Sequence, residues 1–136
     1  FRRVDIEDAA RAHLLAVERA GDLSGSLFII SATTPFTRAD APDLGRDAQA
    51  VVARRCAYAD IYAARGWRMF PAIGRIYDNA RARSALGWAP RWNFPEAIAA
   101  LRAGGQPASP LATLVGAKGY HDEAFENGPY PVSPNT

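Results

Sequence analysis

A mixed α/β unit is the fold class this sequence predicts, and three observations carry that expectation. The apolar run Ser26 to Ser31, SLFIIS, is bounded by Gly25 and a Thr-Thr-Pro turn, which reads as a strand buried on both faces. Segments with helical spacing lie before and after it, so helix and strand alternate. The chain has 136 residues, 49% of them hydrophobic and 22% charged, which fits one ordinary domain with a core and argues against wholesale disorder.

Taken in order, FRRVDIEDAARAHLLAVERAG reads as a short strand leading into a helix. Asp5 is the N-cap, Asp8 follows three residues later, and Gly21 lies just past the last turn. Ile6, Ala9, Ala10, His13, Leu14 and Val17 recur at helical spacing and predict one apolar stripe that packs on something. After the loop ATTPFTRADAP, Leu44, Ala48, Val51 and Val52 predict a helix within 43–55, and YADIYAARG predicts a further apolar segment ending at Gly66. The stretch 67–78 contains Pro71 and Gly74 and has no helical period, which places it as loop with a short strand near 75–77.

A short helix is expected within 79–86, capped by Asp78 and stopped by Gly87. NFPEAIAALRAGG is the clearest helix in the text: Asn93 can cap it, Pro95 sits in its first turn and Gly104-Gly105 end it. A last short helix is expected at 110–115, followed by an extended or disordered tail over 116–136.

Sixteen basic and fourteen acidic residues leave a net charge of +2, too even for a nucleic-acid footprint. Lys118 is the single lysine, so the basic residues are otherwise arginine. Cys56 is the single cysteine, which excludes an internal disulfide and a cysteine-based metal cluster. A reducing, cytoplasmic location is the expectation. No apolar run approaches the ~20 residues of a membrane span, and Arg2-Arg3 has no signal-type apolar region after it. The chain opens on Phe1 rather than Met, and is expected to be a piece of something longer.

Tyr77 and Arg81 imitate a Tyr-x-x-x-Lys proton-transfer pair, but Asp78 is placed to cap a helix there, which puts Arg81 on its surface. His13 lies on the apolar stripe and reads as a hydrogen-bonded core histidine, and His121 reads as a loop residue. No acid cluster has metal spacing. Gly116 and Gly119 fall far short of a dinucleotide loop, and Ser31, Ser84 and Ser109 lack a nucleophile-elbow context. Arginines do stand beside aromatic residues: Arg68 after Trp67, Arg75 before Tyr77, Arg91 between Trp88 and Trp92. They read either as phosphate forks next to stacking rings or as solvated cations beside core and turn anchors.

Together these residues resemble the C-terminal, substrate-binding part of the extended short-chain dehydrogenase/reductases, the NAD(P)-dependent nucleotide-sugar epimerase/dehydratase family. RRVDIEDAARAHLLAVE is similar to that family's Val-Asp-Asp-Val-Ala strand and helix, and SLFIISATTPFT to its Asn-Ile-Gly-Ser-Gly turn, without the glycines. DNARARSALGWAP is similar to its Asp-x-x-Lys-Ala...Leu-Gly-Trp-x-Pro segment, with Arg81 where lysine is common. The resemblance spans residues 2 to about 103, and the tail is similar to a subgroup ending in Lys-Gly-Tyr-His.

The resemblance implies an incomplete piece of a Rossmann-type enzyme, mainly its small mixed helix/strand substrate lobe. Residues 1–24 would pack on a missing Rossmann domain, 25–115 would form the lobe, and 116–136 the tail. Arg68, with Arg75 as competitor, would hold the diphosphate of a nucleotide sugar. NAD or NADP would be bound mainly by the N-terminal half, with no metal, no nucleic-acid or membrane partner, and a homodimer in the parent enzyme. The cofactor loop and catalytic Tyr-x-x-x-Lys are not among these residues, so the piece is expected to be inactive alone. The alternative is a non-catalytic binding or regulatory module derived from the same lobe.

Overall fold

The structure, a computed structural model, describes residues 3–116. The expected helix at the start forms as α1 (Ile6–Glu18), with the Asp5 side chain accepting the Glu7 N–H as N-cap. Its inward face is not the expected stripe. Asp8 and Ala12 are buried, with Leu15 and Ala16 packed beside them, whereas Ile6, Leu14 and Val17 are exposed. His13 is exposed as well, its Nδ1 hydrogen-bonding as donor to Ala9 O at 2.8 Å, which corrects its reading as a core histidine.

A single 3-10 turn (Arg38–Asp40) leads into α2 (Ala41–Leu44) and α3 (Ala48–Arg55). The one helix expected over 43–55 is thus split at Gly45 to Asp47, where the Asp47 side chain takes the Ala50 N–H and starts α3 afresh. Leu44, Ala48, Val51 and Val52 are buried as their spacing predicts, and with Phe36, Ile61, Met69, Ile98 and Leu101 they make the larger of two apolar clusters. Ile61 comes from α4 (Ala59–Ala64), Ile98 and Leu101 from α6 (Phe94–Arg102). Between these lies α5 (Ala80–Leu86), whose Ala82 and Leu86 join Ala12 and the buried Trp88 in the second cluster. Gly87 terminates α5 at φ 64°, a left-handed conformation that a residue with a Cβ resists.

Last comes α7 (Pro110–Val115), capped by the Ser109 hydroxyl on the Ala112 N–H. The same hydroxyl donates to Asp5 Oδ1 at 2.5 Å, and the Ser109 N–H donates to Asp5 Oδ2. One buried carboxylate therefore caps α1 and anchors the start of α7.

No strand forms among the described residues, so the α/β expectation, including a strand-bearing Rossmann-type lobe, is overturned in favour of an all-helical arrangement. The physical reason is pairing. Residues 27–32 run without helix or turn, and among the described residues their backbone link to the neighbouring segment is one bond, from Ala32 N to Arg3 O at 2.8 Å. Phe28 and Ile30 pack against the second cluster, while Leu27 and Ile29 are exposed at 84% and 48%. The run is buried on one side only, against the expectation of two. Residues 75–77 likewise form no strand.

Candidate functional site

Loop 67–78 does not wander over the surface; its middle is tied to α2 and α3. The Ala48 N–H donates to Pro71 O and the Ile73 N–H to Leu44 O, so its middle follows the α2–α3 junction. Gln49 Nε2 donates to Met69 O at 3.2 Å. Trp67 makes an edge-to-face contact with Tyr62, ring centroids 5.6 Å apart at 88°. The Arg65 guanidinium lies 5.7 Å from the Trp67 ring centroid and also donates to Leu101 O. Aromatic contacts of these kinds are each worth about 0.5–1.5 kcal/mol, enough to hold a half-exposed indole in one place.

These restraints frame a cavity of about 310 Å³ whose walls include Tyr62, Trp67, Phe70, Phe94 and Ile98, with Arg3 and Pro107 on its rim. The Arg3 guanidinium is oriented by a 2.9 Å bond to Pro107 O. Thr33 and Thr34 supply the polar side. The volume lies at the lower end of the range for small-molecule sites, and a mostly apolar lining with a few polar groups is their usual chemistry.

A second hollow of about 410 Å³ backs onto the first and shares Tyr62, Trp67 and Met69 with it. Arg68 lines this second hollow, beside Tyr58 and Gln49. Burial pushes the Tyr58 and Tyr62 phenols above their ordinary value, with Asp47 acting in the same direction on Tyr58 and Tyr58 on Tyr62. Both stay protonated at neutral pH and can serve as neutral hydrogen-bond groups, not as bases.

Of the two arginines singled out from the sequence, Arg68 stands next to the aromatic cavity, across the Tyr62–Trp67 pair from Arg3. Arg75 is exposed on the same loop and lines neither hollow. Arg91 uses its backbone, not its charge: its N–H and that of Trp92 donate to the Asp8 carboxylate, and its guanidinium lies 3.8 Å from Glu7. Arg81 sits over Phe28, 5.4 Å from the ring centroid, a surface position as its place on α5 predicts. Sequence reasoning missed Arg3, Phe70 and Phe94. The Trp67-Arg68 dipeptide marks the loop, but no local pattern points from residue 67 to residue 3 or 94.

The three serines singled out from the sequence each spend their hydroxyl in local or capping bonds. The Ser109 hydroxyl is committed to Asp5 and Ala112, Ser31 to Ala32 O and Ser84 to Arg81 O. No group of three His, Cys, Asp or Glu could hold a metal ion among the described residues. No helix there is long and apolar enough to cross a membrane. His121, Lys118 and Gly119 lie outside the described residues. No family model, curated protein or solved structure matches this chain.

Proposed function

We propose that this chain is the substrate-binding portion of an NAD(P)-dependent nucleotide-sugar epimerase or dehydratase. The observation that carries the reading is the aromatic cavity with an oriented cation on its rim and a second cation in the adjoining hollow. A flat heterocycle can stack on Trp67 or Phe70, while Arg3 and Arg68 approach an attached diphosphate from either side. Arg75, on the same loop, remains a further candidate for that charge. The ordered resemblance of three motifs supplies the reaction class. The sequence has no glycine-rich loop after a strand, so no cofactor-binding residue and no chemical step is assigned to this chain. Its part is to hold the remote end of the substrate, where binding energy positions the reacting sugar.

Isothermal titration of the protein expressed from its own gene, against a panel of nucleotide sugars, tests the proposal. At least one member should bind, about tenfold more weakly in Arg3→Ala, which removes one charge-assisted contact. Arg68→Ala combined with Arg75→Ala should weaken it further. Binding by no member of the panel, or unchanged affinity in all these variants, would overturn it.

A further inference from the structure

A separate cleft of about 770 Å³ opens on the far side of the Thr33-Thr34 turn, between the segment leading into the 3-10 turn and the entrance to α5. Its chemistry is unlike that of the aromatic cavity. Arg38 and Arg83 both line the cleft, and neither guanidinium makes an ion pair or hydrogen bond among the described residues. The lining also presents Thr34, the half-buried Tyr77 and Asp78.

The acids nearby do not cancel the two guanidinia. Asp40, next to the cleft, is already held by Arg55 at 2.9 Å and by the N–H and hydroxyl of Thr37. Asp78 uses Oδ1 to take the Ala80 N–H at 2.8 Å, which leaves Oδ2 to accept from a ligand. The floor is rigid: the buried Asn79 spends its side-chain amide on Ser31 O at 2.8 Å and Thr33 Oγ1 at 3.1 Å. That bond pair ties the entrance of α5 to segment 31–33, so the part of the cleft formed by Thr33, Asp78 and Asn79 is held together.

We infer that this cleft binds a phosphorylated polyol of sugar monophosphate size, with the phosphoryl group between Arg38 and Arg83 and hydroxyls on Asp78, Thr34 and Tyr77. Paired guanidinia match phosphoryl oxygens, and a carboxylate oxygen accepts from hydroxyls but repels a second phosphate. The cleft is several times larger than orthophosphate needs, so the polyol contributes contacts of its own. The inference is independent of the nucleotide-sugar reading, because the two sites share Thr33 and Thr34 but no arginine.

The test is titration of the protein with ribose 5-phosphate and, separately, inorganic phosphate, at constant ionic strength so that screening is equal. Saturable binding of ribose 5-phosphate is expected, several-fold tighter than phosphate. Arg38→Ala and Arg83→Ala should each weaken it about tenfold or more, and Asp78→Asn should narrow the gap between the two ligands. Arg46→Ala, an exposed arginine paired with Asp43 elsewhere, and Arg3→Ala should leave it unchanged. No saturable binding, equal affinity for the two ligands, or equal loss in Arg46→Ala would overturn the inference. A circular-dichroism melt of each variant separates loss of binding from loss of fold.

Discussion

Replacing Asp8 with alanine should be among the most damaging single changes in this protein. The side chain is fully buried, at 0% exposure. Its carboxylate accepts the Arg91 N–H at 2.8 and 3.0 Å and the Trp92 N–H at 2.9 Å. Its backbone carbonyl takes Trp88 Nε1 at 3.0 Å, so the two ends of the 88–92 turn are held by one residue of α1. Alanine leaves the carbonyl bond in place but strands two backbone donors. Each unsatisfied donor costs about 1–3 kcal/mol, and the lost carboxylate in the first turn of α1 adds about 0.3–1 kcal/mol. Allowing for water entering the space, the expected loss is about 3–5 kcal/mol, against the 5–15 kcal/mol typical of a whole domain.

Urea unfolding followed by circular dichroism measures this directly, and in a thermal melt the loss corresponds to roughly 10–20 °C in Tm for a domain of this size. Asp8→Asn keeps one oxygen and should lose about 1–2 kcal/mol. Wild-type stability in Asp8→Ala would refute the reasoning, because it would mean that residues 88–92 dock without this carboxylate.

Two further outcomes follow from the titrating groups. Burial alone would raise the Asp5 carboxyl, but bonds from the Ser109 hydroxyl and N–H and from the Glu7 N–H, with the Arg3 charge, outweigh it and hold Asp5 below its ordinary value of 3.8. A depressed folded pKa contributes stability that is fully present above the unfolded value and is lost as pH falls through the folded one. Unfolding free energy should therefore drop below about pH 4, and Ser109→Ala should be less stable at pH 7 yet lose less on acidification; an unchanged acid limb in that variant would count against the network. Cys56 is half-buried, and burial is the largest influence raising its thiol above the ordinary value. Its alkylation by iodoacetamide should be slower than that of free cysteine at pH 8 and should keep rising at higher pH; a rate equal to the free thiol's would show that the site is open.

Local signals were readable in the sequence and distant ones were not. Asp5 as N-cap, Gly87 as a left-handed stop and the bounds of α7 each depend on residues within one turn, so the text specifies them. The core positions Leu44, Ala48, Val51 and Val52 follow from helical period alone. SLFIIS has the composition of a strand, but a strand exists only through a partner, and no pattern in 26–31 states whether one lies alongside. Asp8 was legible only as the acid three residues after the N-cap, yet its donors lie 83 and 84 residues away. Asn93 looked like a side-chain cap for α6, but its Oδ1 takes the Thr33 N–H instead. For the candidate site, Trp67 and Arg68 could be picked out as neighbours, whereas Arg3 and Phe94 arrive through tertiary packing.

The contacts of α1 also bear on the order of synthesis. Its buried acids find their donors at Arg91, Trp92 and Ser109. A ribosome adding about 5–20 residues per second needs roughly 5–20 s to make the intervening chain. During that interval Asp5 and Asp8 have only water and the helix's own first turn to satisfy them. Of the helices described here, the first in the sequence is thus completed only when nearly all the others have been made, through contacts of long sequence separation.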